Sequence, residues 1–143
     1  MKSSTASFGI TALNELQEIY NHKSLVEDGE FALEVMRYIN KKVAEFKKED
    51  GYLYAIYGTP AENLCGLQVK QFRKKFGVVE KVTDRGYLSK SYTCHVTENI
   101  GPAENQDLEG RFWELLNGGK IQYVKYPISY NTKAIETLIK RAM

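Results

Sequence analysis

Apolar residues recur at helical spacing in five separate stretches of the chain. The clearest set comprises Phe31, Val35, Ile39, Val43 and Phe46. Intervals of three and four residues place side chains on one face of a helix, so this set predicts an amphipathic helix that ends before Gly51. Shorter patterns of the same kind predict helices at residues 10–19, 61–76, 107–116 and 132–141. We expect Ser7 or Thr11 to cap the first helix and Gly77 to close the one at 61–76.

Extended segments alternate with these helices. Residues 52–57 form a run of tyrosine and aliphatic side chains between Gly51 and Gly58, which predicts a strand. Residues 82–96 are typical of a hairpin or a pair of short strands, and residues 121–126 alternate as a further strand. The order α-α-β-α-β-β-α-β-α favours a mixed α/β domain.

Length and charge narrow the possible functions. The 143 residues fit one domain, so we expect a single domain over residues 1–143. Twenty basic against 18 acidic residues give a net charge of +2, which offers no electrostatic case for a nucleic-acid partner.

No apolar run approaches the ~20 residues of a membrane span. The two cysteines exclude a disulfide framework and a four-thiolate zinc site within the chain, and a reducing, cytoplasmic location fits best.

The turn after the predicted strand carries the best candidate chemistry. We expect Thr59 to be the N-cap and Pro60 the first helical residue, because proline needs no N–H there. The amides that would then face outward without a helical partner belong to Ala61, Glu62 and Asn63. Free amides and the helix dipole together favour a bound phosphate or carboxylate. The same residues also form a capping box between Thr59 and Glu62, and the local sequence leaves both interpretations open.

The other reactive residues predict no further site. Cys94 and His95 are adjacent, so on a strand they would point to opposite faces and could not form a compact metal site. Cys65 lies on the apolar side of its helix, which is typical of a core residue. The basic run after it is most simply a solvated helix face: Lys70, Arg73, Lys74 and Lys75. We therefore predict no metal site and no catalytic residue.

Four blocks of sequence, in a fixed order, carry a resemblance to a known family. They are T-A-S-F-G-I at 5–10, G-T-P-A-E-N-L at 58–64, K-F-G at 75–77 with V-T-D-R-G-Y at 82–87, and N-G-G-K-I-Q-Y-V at 117–124. Together they resemble the anaerobic (class III) ribonucleoside-triphosphate reductases. The blocks span nearly the whole chain, which makes the resemblance specific although each block alone is short.

The resemblance implies a fold and a role. Members of this family are glycyl-radical enzymes that reduce ribonucleotides to deoxyribonucleotides in a ten-stranded α/β barrel. This chain resembles the C-terminal part of that barrel, so we expect a partial α/β sector with three to five strands and about five helices. The resemblance also implies that the Thr59–Pro60 turn, with Ala61, Glu62 and Asn63, receives the phosphates of a ribonucleoside triphosphate. The remaining reductase polypeptide would then be a partner.

Departures from the family pattern limit what this segment would do alone. The sequence holds neither the radical-cysteine loop nor the glycyl-radical motif, so we expect no cofactor here and no activity of the chain by itself. Thr93 and Cys94 separate Ser91-Tyr92 from His95, which shifts the register of the family's N-S-[FY]-H-V pattern, so no role transfers to His95. Two alternatives remain open: a stand-alone nucleotide- or phosphate-binding module, and a structural interaction protein with tyrosine-rich strand edges.

Overall fold

A pair of parallel strands organises the chain. The computed structural model describes residues 4–124 and 130–143, and of Glu62 only the backbone. Strand β1 (Thr5–Ile10) pairs with strand β2 (Leu53–Gly58), so that Thr5 lies opposite Leu53 and Ile10 opposite Gly58. Parallel strands cannot be joined by a tight turn, and here the connection runs through two helices, α1 (Leu13–Asn21) and α2 (Glu30–Asp50).

Three more helices follow β2. Helix α3 spans Glu62–Phe76, α4 spans Pro102–Gly110 and α5 spans Thr132–Ala142, and a 3-10 turn at Trp113–Leu115 follows α4. The expected mixed α/β class and the five helices are confirmed. The described residues contain two strands, which is fewer than the three to five that we expected.

Helices α2 and α3 end as their sequences predict. Gly51 closes α2 with a φ of 74°, and Gly77 closes α3 with a φ of 79°. Glycine suits both positions because it carries no Cβ to clash in the left-handed region. The predicted caps of α1 are wrong: its N-cap is Ala12, and no side chain caps it. Ser7 is unable to cap because it belongs to β1, where pairing with β2 extends the backbone.

The predicted hairpin at residues 82–96 is also wrong, since this segment folds as a series of turns. Side chains hold the turns in place of strand pairing. The Thr83 hydroxyl oxygen accepts from the backbone N–H of Val79 at 2.7 Å. The Arg73 guanidinium on α3 donates to the backbone oxygens of Thr83 and Arg85. Arg73 therefore has a structural role that its place in a basic run did not indicate.

The helix predicted at 107–116 begins earlier and ends earlier. Pro102 occupies the first turn of α4, where its missing N–H costs nothing, and the helix stops at Gly110. Of the strand predicted at 121–126, residues 121–124 are not extended into a sheet, and residues 125–126 lie outside the described residues.

A short segment before that stretch lies along the second edge of β2. Gly118 donates its N–H to Ile56 O at 2.7 Å, and Gly58 donates to Gly119 O at 3.0 Å. The Asn117 side chain accepts from the Ile56 N–H at 2.8 Å. β2 is thus hydrogen-bonded on both sides, whereas within residues 4–124 and 130–143 β1 is paired on one.

The core lies between α2, β2 and the segments after α4. The side chains that form it are Leu13, Leu25, Leu33, Met36, Ile56, Tyr92, Phe112 and Leu116. A smaller cluster of Cys65, Val69 and Leu88 fastens α3 to the segment that follows it. None of the helices in the described part of the chain is long and apolar enough to cross a membrane.

Candidate functional site

The turn between β2 and α3 differs from the predicted cap. Helix α3 begins at Glu62, and its N-cap is Ala61, which has a φ of 38° and a ψ of 38°. Ala61 O accepts from the Cys65 N–H at 2.9 Å, and no side chain caps the helix. Thr59 is therefore not the N-cap and Pro60 is not the first helical residue, because the left-handed bend at Ala61 delays the helix.

The position of the turn matches that of many ligand sites in α/β proteins. It follows the carboxyl end of β2, and because β1 is parallel to β2, the end of β1 lies at the same edge. A Cβ on Gly9 would lie 3.0 Å from the Tyr57 ring and 3.2 Å from the Thr59 Cγ2, so the small size of glycine allows this close approach of the two chain segments. Ligands of open α/β sheets bind outside the carboxyl ends of the strands.

The predicted phosphate-site residues differ in exposure. Thr59 and Ala61 are half-buried, and Asn63 is exposed. The side chain of Glu62 lies outside the described residues. The lysines farther along α3 are exposed, as the sequence predicted, and contribute nothing to the turn: Lys70, Lys74 and Lys75.

A buried carboxylate on α1 joins this helix to the turns that follow α3. Glu15 on α1 accepts from the backbone N–H of Ser89 at 2.9 Å and from its hydroxyl at 2.8 Å. Ala12 donates to Ser89 O, and Leu13 donates to Ser91 O. The segment at 89–91 is thereby fixed across the end of β1.

Burial raises the pKa of Glu15 above its ordinary value, and the hydrogen bonds from Ser89 offset part of that rise. The carboxylate is almost completely buried, and its other oxygen has no hydrogen-bond partner among the described residues. Because a buried carboxylate loses its hydration, the two Ser89 donors matter more here than they would at the surface.

A cavity of about 700 Å³ opens beside this segment. Its walls come from α3, from the turns at 86–98 and from α4. Both cysteines line it, Cys65 from α3 and Cys94 from the turns, and so does His95. His95 is buried; its Nδ1 lies 2.8 Å from the Thr97 hydroxyl, and its ring stacks on Tyr87 at 5.8 Å between centroids.

Polar side chains from α4 line the same cavity. Asn105 donates to Glu109 Oε1 at 3.2 Å and to Cys94 Sγ at 3.4 Å. Gln122 donates in turn to Asn105 Oδ1 at 3.1 Å. Among the described residues, no cluster of histidine, cysteine and carboxylate side chains has the geometry to hold a metal ion.

Burial shifts the pKa of the ionisable groups in this cluster. It raises the pKa of Glu109 to about 7, although the amides of Gln122 and Asn105 and the Cys94 backbone N–H lower it in part. Burial, helped by the nearby Glu109 charge, raises the pKa of the Cys94 thiol to about 11. Cys94 is therefore a protonated thiol at neutral pH rather than a nucleophile.

The Glu109 cluster was not predicted from the sequence. Asn105 and Glu109 are four residues apart, the spacing that puts two side chains on one helical face. That signal was hidden because the predicted helix began only at residue 107, after Asn105. Had Pro102 been taken as the first turn of a helix, the pair would have been visible.

The fold and the turn define a mixed α/β segment with its candidate site at the carboxyl end of parallel strands. The comparisons with known proteins agree with the resemblance that the four blocks carry. The model of the family described as anaerobic ribonucleoside-triphosphate reductase matches residues 1–143. The chain belongs to this family.

Individual relatives show how much of the enzyme the chain represents. It is 38% identical to the anaerobic ribonucleoside-triphosphate reductase of Haemophilus influenzae over 128 residues, which is 89% of this chain and 18% of that protein. The Escherichia coli reductase is 35% identical over the same lengths. The reductase of Enterobacteria phage T4 is 30% identical over 136 residues, 94% of this chain and 21% of that protein. The chain spans about a fifth of the length of these relatives.

Proposed function

We propose that this chain is a segment of an anaerobic ribonucleoside-triphosphate reductase and contributes the turn that holds the triphosphate of the substrate. The observation that carries the proposal is the place of Thr59–Asn63 between the carboxyl end of β2 and the start of α3. Backbone amides at a helix start and the helix dipole favour negative charge. The names of the relatives supply the substrate class, a ribonucleoside triphosphate. We also propose that the chain acts in the cytoplasm.

The exposed first strand supports a role inside a larger polypeptide. Among the described residues, β1 is paired along one edge only, and its residues Thr5 to Gly9 are exposed. Phe8 is 41% exposed, although its ring stacks on Tyr54. Parallel strands in complete proteins are covered on both faces. We therefore infer that the remaining reductase polypeptide covers β1.

Titration with ribonucleoside triphosphates tests the phosphate site. We expect saturable binding of ATP, no comparable binding of adenosine, and affinity for ATP about tenfold lower in Thr59→Ala, because one hydrogen bond to a charged group is worth about 1.5–3 kcal/mol. Since Thr59 does not cap α3, the substitution removes no helix cap. The matched control is Lys74→Ala, which alters an exposed charge away from the turn and should bind like the wild type.

The outcomes separate the alternatives. Absence of ATP binding at millimolar concentration would overturn the phosphate site and leave the covering of β1 as the remaining proposal. Equal loss of affinity in Thr59→Ala and Lys74→Ala would indicate nonspecific electrostatic attraction. Calorimetry is the suitable measurement because it reports affinity without requiring turnover.

A further inference from the structure

The cavity beside α4 has the size and walls of a small-molecule site. Its volume of about 700 Å³ lies within the roughly 300–1,000 Å³ that ligand pockets occupy. The walls are largely apolar and aromatic, and include Tyr87, Val96, Ile100, Pro102, Tyr123 and Val124. Neither Thr59 nor Asn63 lines it, so it is separate from the turn of the proposed phosphate site.

Glu109 lines this cavity with half of its carboxyl group unsatisfied. The residue is 1% exposed. Oε1 accepts from Asn105, and the Gln122 amide and the Cys94 backbone N–H also lower the pKa of the carboxyl group, but no donor of a described residue lies within hydrogen-bond distance of Oε2. Asn105 is itself held by Gln122, so it cannot turn to serve both oxygens. A buried carboxyl oxygen without a donor is costly, and a ligand that brings one removes that cost.

The charges around the cavity restrict the ligand. Glu109 disfavours an anionic ligand such as a phosphate ester. Lys90 also lines the cavity, with its ammonium group 4.7 Å from the centre of the Tyr123 ring, and disfavours a cation. Glu98 faces the same space. A neutral molecule that donates a hydrogen bond avoids both repulsions.

The aromatic side chains favour a flat ligand. Tyr87 and Tyr123 line the cavity, and Tyr87 already stacks on the ring of His95. Aromatic pairs gain about 0.5–1.5 kcal/mol beyond the burial of their surface. We propose that this cavity binds a neutral, flat nitrogen heterocycle whose ring N–H is donated to the Glu109 carboxyl group.

Benzimidazole and 1-methylbenzimidazole test the proposal, because they share a ring system and differ in the N–H donor. NMR titration of the 143-residue chain gives affinity and location together. At pH 8, where the Glu109 carboxyl group is ionised, we expect benzimidazole to produce saturable shifts at Tyr87 and Tyr123, with an affinity about tenfold higher than that of the methylated compound, as for a hydrogen bond to a charged acceptor. In Glu109→Gln this preference should vanish while 1-methylbenzimidazole still binds, which shows that the cavity is intact.

Three results would overturn the proposal. The first is equal affinity of the wild-type chain for the two compounds. The second is a preference that persists in Glu109→Gln. The third is an absence of saturable shifts at Tyr87 and Tyr123, whether because the probes bind elsewhere or because they do not bind. These three results are independent of the ATP titration. A negative outcome for the cavity therefore does not contradict the proposed phosphate site.

Discussion

Glu109 shows how burial couples one residue to the stability of the chain. Its carboxyl group is nearly inaccessible, and only amides and one backbone N–H compensate for lost water. The charge of Glu109 also affects a neighbouring group. Burial is the main cause of the raised pKa of Tyr92, and the Glu109 charge raises it further. Burial therefore sets the protonation of the cluster, and the charge of Glu109 adds to its effect.

We predict that Glu109 makes the folded chain less stable as pH rises from about 4.5 to about 7. The pKa rises from 4.5 in the unfolded chain to about 7 in the folded one, so within this window the unfolded state releases a proton that the folded state keeps. Below pH 4.5 Glu109 is protonated in both the folded and the unfolded chain and does not affect stability. Above about pH 7 the burial of its charge lowers the free energy of unfolding by about 3 kcal/mol. Urea denaturation of the wild type and Glu109→Gln across this range measures the difference. Parallel curves for the two proteins would contradict the prediction.

The Ser89 hydroxyl should stabilise the folded chain more than an ordinary surface hydroxyl does. Ser89→Ala removes one of the two donors to the buried Glu15 and leaves the backbone donor in place. We expect the free energy of unfolding to fall by about 1.5–3 kcal/mol, the usual contribution of one hydrogen bond to a charged group. Ser4→Ala is the matched control because Ser4 is exposed. Equal denaturation midpoints for the two variants would show that the Glu15–Ser89 contact is not stabilising.

At the scale of elements, the second edge of β2 depends on the absence of a side chain at position 118. A Cβ on Gly118 would lie 2.9 Å from Ile56 O and 3.0 Å from the Ala55 Cβ. Backbone and Cβ atoms of a strand cannot move aside as a flexible side chain can. The conformation of the 117–119 segment is therefore fixed by contact with β2.

Gly118→Ala should separate this segment from β2. We expect loss of the hydrogen bond from Gly118 to Ile56 O and a fall of about 1–3 kcal/mol in the free energy of unfolding, the usual cost of overpacking. Gly110→Ala at the end of α4 is the control, because a Cβ there meets nothing within 4 Å. Amide hydrogen exchange at Gly58, which donates to Gly119 O, reports the separation directly. Unchanged exchange in Gly118→Ala would refute it.

Elements with a strong local pattern were predictable, and those that depend on distant contacts were not. Helix α2 follows from its apolar spacing and from Gly51, which ends it. Strand β1 has no such pattern, because its extended form depends on β2, more than forty residues later in the chain. At 82–96 the local sequence indicated a hairpin or a pair of short strands, but Arg73 and Thr83 stabilise turns instead.

The candidate site was predictable in place but not in detail. The proline and the residues around it correctly indicated a strand–turn–helix unit at 52–76. The left-handed backbone of Ala61 could not be inferred, because alanine seldom adopts it and no residue type marks it. Glu109 was not predicted as a site residue because its burial depends on side chains from three separate segments. Only the folded chain brings these segments together.

At the scale of the whole molecule, the chain has the surface of a part rather than of a complete enzyme. Large apolar side chains are exposed on several elements, among them Phe8 on β1, Tyr38 on α2 and Leu67 on α3. Extensive apolar exposure marks surfaces that other protein covers. This agrees with a chain that spans about a fifth of its relatives and supports the proposal that the rest of the reductase packs against it.

On that proposal, the isolated chain should not convert ribonucleoside triphosphates to deoxyribonucleotides even if it binds them. Positioning accelerates a reaction only when the reacting groups are present, and the sequence contains neither the radical-cysteine loop nor the glycyl-radical motif that the family resemblance implies for the reaction. Anaerobic incubation with a ribonucleoside triphosphate and a chemical reductant, followed by chromatography of the nucleotides, measures this directly. A complete relative in its radical-bearing form is the positive control. Deoxyribonucleotide above the level of a protein-free blank would show that the chain carries reductase chemistry of its own, and would contradict its assignment as a substrate-holding segment.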